Sequence, residues 1–269
     1  MALSYFIADT HLGLEYQDPV LREKQFASFL ESLPEETAQV YLLGDIFDFW
    51  YEYKDVIPRK FTRTLGALAR LADRGVKLFF INGNHDIWTY NYLQTEVGVT
   101  ILPQPSVVDI GGVRFCIGHG DAIWHSTRMY RFMNAGFKCK VPQVLFSALH
   151  PRWAMLLGHS WSRHNRLTRY KSEDEKTIAE NRQAIERDGS AWAESFQKDL
   201  EKKGEKRADH FIFGHYHLPL TVQLEGGGDF SILGDWIHNP DYMVFDGVSL
   251  KGKHLFSELV AEKNLFREH

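Results

Sequence analysis

Val40-Tyr41-Leu42-Leu43-Gly44-Asp45-Ile46-Phe47-Asp48 is the stretch on which the fold turns. Its first four residues read as a buried strand, and glycine ends the run at once. Two carboxylates stand directly beyond. The same grammar recurs along the chain. Leu3–Ala8 runs into Asp9-Thr10-His11, Val76–Asn82 into Gly83-Asn84-His85-Asp86, Val113–Gly118 into His119-Gly120-Asp121, and His210–Gly214 into His215-Tyr216-His217. In open α/β sheets, ligands and reacting groups converge in the loops beyond the carboxyl ends of strands. Five such loops therefore predict one polar pocket.

Helical patterns separate the early strands. Asp18-Pro19 is an N-cap with proline in the first turn, leading into Val20–Leu33, and Arg59–Arg74 has helical periodicity that stops at Gly75. Strands alternating with helices predict an α/β fold: a mixed-sheet sandwich flanked by helices. Thr221–Leu224, Phe230–Leu233, Met243–Asp246 and Leu255–Leu259 read as further strands, with turns at Gly226-Gly227-Gly228 and Asp246-Gly247.

Between Ala122 and Arg207 the strand signal vanishes and the sequence turns helical. The expected division is a core of residues 1–121 and 208–269, interrupted by a helical insertion, or cap, at 122–207. Residues 122–172 contain no Asp or Glu but carry nine Lys or Arg, while 173–207 bear both signs and read as solvated helix. Large apolar residues, among them Trp124, Phe132, Phe146, Trp153 and Trp161, interleave with the basic ones.

The 269 residues carry a net charge of −4 and 44% hydrophobic residues, enough for a real core and opposed to disorder. Two cysteines without CxxC spacing suit a reducing compartment. The start of the chain reads as a strand and not as a signal peptide, and no apolar run reaches membrane-spanning length. The expected location is cytoplasmic.

The five clusters supply carboxylate, carboxamide and imidazole donors but no thiolate, a set that suits Mn²⁺, Fe or Zn²⁺ in a reactive site better than a structural zinc. Two such ions about 3.5–4 Å apart generate hydroxide at neutral pH and clamp transition-state oxygens. A group shared by both cations has to be a carboxylate, whose two oxygens and negative charge offset them.

The motif order, DxH, GDxxD, GNH(D/E), GHxx and GHxH, resembles that of the calcineurin-like metallophosphoesterase superfamily across nearly the whole chain. The resemblance implies a metallophosphoesterase-type sandwich and two divalent ions, Mn²⁺ foremost. It implies that Asp9, His11 and His217 hold one ion, that Asn84, His119 and His215 hold the other, and that Asp45 bridges them. His85 would stand near the scissile phosphate as charge stabiliser or general acid. Asp48 and Asp86 are expected to orient ligands.

The insertion, read with Gln143–Leu149 and Gly234-Asp235-Trp236, resembles the UDP-2,3-diacylglucosamine diphosphatases within that superfamily. This implies cleavage of a nucleotide-linked glycolipid to 2,3-diacylglucosamine 1-phosphate and UMP at the cytoplasmic face of the inner membrane, with peripheral attachment. Ser162, Arg166 and Arg169 share one helical face, and with Lys171 and Tyr130 they are the expected substrate-binding residues. The sequence departs from that family at His85, where its well-studied members carry arginine. A soluble phosphodiesterase or phosphatase acting on nucleotides is the alternative. A nuclease is disfavoured by the acidic charge, and a non-enzymatic scaffold by the complete donor set.

Overall fold

In the computed structural model, which describes residues 2–121, 136, 139–158, 160 and 175–255, eleven strands form two facing mixed sheets. In the first half of the chain lie β1 (Leu3–Ile7), α1 (Pro19–Glu31), β2 (Thr37–Leu42), α2 (Thr62–Asp73), β3 (Lys77–Ile81), α3 (Tyr92–Thr95), β4 (Val99–Leu102), β5 (Ser106–Ile110) and β6 (Val113–Ile117). There follow α4 (Lys140–Ser147), α5 (151–158) and α6 (Glu175–Lys202). The last strands are β7 (His210–Phe213), β8 (Leu220–Gln223), β9 (Asp229–Ile232), β10 (Asp241–Phe245) and β11 (Leu250–His254).

The first sheet runs β11-β10-β1-β2-β3-β4, with β1 through β4 parallel and β10 antiparallel to β1. The second runs β5-β6-β7-β9-β8, with β6, β7 and β9 parallel. Successive side chains of a strand point to opposite faces, and here both faces are covered. Tyr5 and Ile7, Val40 and Leu42, and Leu78 and Phe80 pack outward beneath α1 and α2. Phe6, Ala8, Tyr41, Leu43 and Ile81 point inward and meet Phe115, Ile117 and Ile212 of the second sheet. Phe211, Phe213, Phe230 and Ile232 face the far side of the second sheet, against Ile185 and Ala193 of α6. The arrangement is helices, sheet, sheet, helix.

The Asp18 carboxylate accepts from the N–H groups of Val20 and Leu21 at 2.9 and 3.0 Å, so α1 starts where its sequence signal lies. The α2 helix begins three residues later than its periodicity suggests. Phe61 takes a left-handed φ of 76° and drives its ring into the core beside Phe47 and Trp50, which stops the helix from extending backward. Three elements escaped the sequence reading: α3, β4 and β5. The β5–β6 hairpin turns on Gly111-Gly112, both at positive φ, a turn signal that was available.

Two expectations need correction. The strand expected at 255–259 is displaced: β11 is Leu250–His254, paired to β10 across the Asp246–Ser249 turn, and 256–259 lie outside the described residues. The helix expected to be solvated is so on one face only. Along α6, Ile185, Ala193, Gln197 and Leu200 are buried. Gln197 also exchanges two hydrogen bonds with the Ala208 backbone, at 2.7 and 2.9 Å, tying the helix to the strand that follows it.

Candidate metal centre

The five clusters meet at one edge of the sandwich, because β1, β2 and β3 run parallel in one sheet and β6 and β7 run parallel in the other. Backbone bonds lace the loops together. Asp9 N–H donates to Gly44 C=O at 3.1 Å, His11 N–H to Asp45 C=O at 2.9 Å, and Gly214 N–H to His119 C=O at 2.9 Å. The consequence is unusual backbone. Asp9, His11, Asp45, His215 and His217 all have φ between 44° and 73°, in the left-handed region where non-glycine residues sit at a cost of about 1–3 kcal/mol each. Among the described residues only Gln17 and Phe61 are other non-glycines in that region. The strain is therefore concentrated on the residues expected to bind metal.

Two glycines make room. A Cβ on Gly83 would be driven into the Asp45 carboxylate, and one on Gly214 into that of Asp9.

The resulting geometry forms two trios, with a further group, His11, Asp48 and His85, gathered beside the first. In the first, Asp9, His11 and His217 offer ligand atoms that all lie within 4.8 Å of one another. His11 Nε2 and His217 Nε2 face each other at 3.1 Å. Asp9 Oδ1 lies 3.3 Å from His217 Nε2 and 3.6 Å from His11 Nε2, yet it is buried and accepts no hydrogen bond. In the second trio, Asp45, His119 and His215 gather in the same way, and Asn84 Oδ1 stands 3.2 Å from His119 Nε2. Asp45 Oδ2 lies between the trios, 3.8 Å from His11 Nε2 and 3.4 Å from His119 Nε2. Its Oδ1 accepts from His85 N–H at 2.8 Å, so a single carboxylate oxygen, and not the pair, faces both trios.

The opposite side of each ring decides what the inner nitrogens present. His119 Nδ1 is 3.0 Å from the Leu43 carbonyl, His85 Nδ1 is 2.9 Å from the Asp48 carbonyl, and His217 Nδ1 is 3.2 Å from Asp235 Oδ2. Those partners can only accept, so each Nδ1 carries a proton and each Nε2 faces inward, offering a lone pair once the ring has given up any second proton. Converging lone pairs, an Asn oxygen and buried carboxylate oxygens repel one another unless a cation lies among them. The donor set fits divalent metal.

The electrostatics point the same way. Burial by itself would raise the Asp9 carboxyl, but the His217 charge holds it below the usual range, and His119 and His85 do the same for Asp45. Burial would lower the imidazoles, but Asp45 lifts His119 well above its ordinary value, and Asp9 and Asp235 lift His217 to about 8. Asp86 goes the other way: burial and the Asp45 charge push it up to about 7. It accepts from the N–H groups of Gly83, Asp45, Ile46 and Phe47 at 2.8–3.2 Å, and so ties the second and third loops together. Asp48 Oδ1 stands 3.7 Å from His11 Nδ1 and 3.9 Å from His85 Nδ1.

Sequence reasoning gave two supporting groups no place at the site. Gln104 accepts from His119 N–H at 2.9 Å and donates to Asp121 at 2.8 Å; it lies on an unremarkable loop. Asp235 follows Leu233-Gly234 at the end of β9 as Asp45 follows Leu43-Gly44, so the same grammar could have found it. Tyr130, Ser162, Arg166, Arg169 and Lys171 lie outside the described residues.

Helix α4 meets the core beside the candidate metal loops. Phe146 of α4 packs on Tyr51 and Trp88, with ring centroids 4.8 and 4.7 Å apart, and Tyr51 Oη donates to the Gln143 carbonyl. A cleft of about 670 Å³ opens there between residues 51–56 and α4, lined by none of the seven candidate ligands.

Residues 4–219 match the family model described as Calcineurin-like phosphoesterase. A Porphyromonas gingivalis (strain ATCC BAA-308 / W83) protein named UDP-2,3-diacylglucosamine hydrolase is 36% identical over 252 residues, 91% of this chain and 95% of its own length. A Neisseria gonorrhoeae protein of the same name is 30% identical over 90% of this chain and 92% of its own. Among solved structures, a dimetal phosphatase from Danio rerio aligns over 94% of this chain and 95% of its own, with a TM-score of 0.44 and 13% identity.

Proposed function

This chain belongs to the calcineurin-like phosphoesterase family, and from that premise we propose that it hydrolyses the pyrophosphate of UDP-2,3-diacylglucosamine, releasing UMP and 2,3-diacylglucosamine 1-phosphate. The single observation that carries the substrate is the 36% identity spanning 91% of the chain to a protein named for that hydrolysis. A local motif match would not extend through the insertion.

In this reading Asp9, His11 and His217 hold one divalent cation, Asn84, His119 and His215 hold a second, and Asp45 faces both. Mn²⁺ is the ion we assign. Two such ions supply a water-derived nucleophile near neutral pH and neutralise phosphate oxygens. The chain's own residues do the rest. Water oxygen bonds to phosphorus, the P–O bond to the departing phosphate breaks, and His85 stands at the pocket with Nε2 4.0 Å from Asp45 Oδ2. Its Nδ1 faces the Asp48 carbonyl, so Nε2 is the atom turned to the departing oxygen, and it donates there when the ring carries both protons. The Arg and Lys residues of 122–172 meet the substrate's phosphates, with Tyr130, Ser162, Arg166, Arg169 and Lys171 assigned to binding.

We read the cap as the route to the membrane surface. No helix among the described residues is long and apolar enough to cross a bilayer. Yet Leu145 and Trp153 on α4 and α5 are 66% and 61% exposed, with Leu156 and Leu157 beside them, in a segment free of acids. Exposed apolar side chains with basic neighbours suit peripheral binding to anionic lipid at the cytoplasmic face of the inner membrane.

The deciding experiment is a Mn²⁺-supplemented assay with UDP-2,3-diacylglucosamine, following UMP. Release of UMP supports the reading. Cleavage of soluble nucleotide diesters with none of the glycolipid overturns it in favour of a soluble phosphodiesterase. His85, standing where the well-studied lipid enzymes carry arginine, is the one feature that favours this second reading.

A further inference from the structure

The Gly234-Asp235-Trp236 strap between β9 and β10 belongs neither to the donor set nor to the acid role, yet it touches the first trio twice. Trp236 N–H donates to the Asp9 carbonyl at 3.1 Å, and Asp235 Oδ2 lies 3.2 Å from His217 Nδ1. Asp9 and His217 are both held at left-handed φ, so the strap pins two strained residues of one trio.

The strap is itself held rigidly. Asp235 is 7% exposed, and its Oδ1 accepts from the N–H groups of Ile237 and His238 at 2.8 Å each. Oδ2, the oxygen that meets His217, also lies 3.0 Å from His238 Nδ1. The Trp236 ring is buried edge-on against Phe26 and Phe29, and its Nε1–H donates to the Asp241 carbonyl at 2.9 Å. A Cβ on Gly234 would collide with the Asp241 carboxylate, so the glycine lets the strap pass.

The two trios are backed differently. His217 leans on a carboxylate, and His11 has the Asp48 carboxylate 3.7 Å from its Nδ1, whereas His119 leans on the neutral Leu43 carbonyl. A carboxylate behind an imidazole raises its basicity toward a cation more than a carbonyl does. The first trio also contains a carboxylate of its own, where the second group has the neutral Asn84. We propose that Asp235 is a positioning residue of the first cation position: it fixes the ring and tautomer of His217, and its charge makes that position the tighter of the two. This rests on the reading that Asp9, His11 and His217 hold a cation.

The test is Mn²⁺ binding to the full chain, followed by the electron paramagnetic resonance signal of free Mn²⁺. Wild type is compared with Asp235→Asn, Asp235→Ala and His217→Ala. Asparagine keeps the size and an acceptor oxygen but loses the charge. The expected result is two Mn²⁺ of unequal affinity in wild type, with the tighter one weakened about tenfold by Asp235→Asn and nearer a hundredfold by Asp235→Ala. The weaker ion keeps its affinity, and circular dichroism of the metal-free variants matches wild type. If His217→Ala loses an ion while Asp235→Asn binds as wild type, the role given to Asp235 is overturned and the cation reading stands. Equal weakening of both ions by Asp235→Asn overturns it too. If His217→Ala still binds both ions at wild-type affinity, the cation reading itself falls.

Discussion

At the scale of single residues, Asp45 and His85 are neighbours set differently in the site, and the different roles proposed for them are measurable. Asp45 Oδ2 faces both trios, while His85 reaches the group through its backbone N–H, an inward Nε2 and a ring set edge-on to that of His11. Asp45→Ala should lower metal content and reduce turnover beyond the 10–100-fold that loss of an outer partner costs. His85→Ala should reduce kcat by about 10²–10⁴-fold, the range for a proton carrier, with both ions still bound. Metal analysis beside steady-state kinetics separates the two; near-normal activity in Asp45→Ala, or loss of both ions in His85→Ala, would reverse the assignments. The imidazoles also set a pH dependence. His217 is lifted to about 8 and His119 well above its usual value, so without metal both are charged at neutral pH. A raised imidazole stabilises the fold fully below about 6.5, and that stability is lost as pH rises through about 8. Cation binding requires the neutral ring, so affinity should climb across the same window and binding should release protons. Calorimetry in buffers of different ionisation enthalpy reads that release. A flat affinity from pH 6.5 to 8.5 would contradict it.

At the scale of elements, the helices are tied to the site as well as to the core. The buried Arg22 of α1 donates to the carbonyls of His11, Leu14 and Tyr16 at 2.8–3.4 Å, holding the loop that leaves the first motif. Glu23 accepts from Arg63 N–H at 3.0 Å, joining α1 to α2. The Asp18 cap, by contrast, is exposed, and its carboxylate accepts from Val20 and Leu21 within its own helix. Asp18→Ala should therefore cost about 1 kcal/mol of stability and leave metal affinity unchanged, as thermal melts with and without Mn²⁺ would show. A large loss of metal in that variant would mean that α1 transmits more to its loop than these contacts explain. The strands that feed the five motifs were the most legible elements, because their apolar runs are short, buried on both faces and ended by glycine. Helix ends were less so: α2 is cut short by Phe61, whose packing against Phe47 and Trp50 outweighs its own local preference.

At the scale of the molecule, the helices between β6 and β7 pack on different parts of the core. Residues 140–158 lean on the aromatic wall of Tyr51 and Trp88 through Phe146, while α6 supplies Ile185, Ala193 and Leu200 to the core. Replacing 122–172 with a linker while keeping α6 should spare hydrolysis of a small aryl phosphodiester and abolish action on the glycolipid. Extending the deletion through α6 should unfold the second sheet, readable by circular dichroism. If the shorter deletion still turns over the glycolipid, the cap is not its binding element. Sequence alone determined the layered α/β architecture and singled out the candidate donors, because a strand's burial pattern and the glycine-bounded polar cluster after it are local facts. Tertiary structure alone decided which donors pair, that one oxygen of Asp45 faces both trios, and that Asp235 stands behind His217. Those relations join residues as far as 206 positions apart, as His11 and His217 are, and they exist only where two sheets bring their strand ends to one edge.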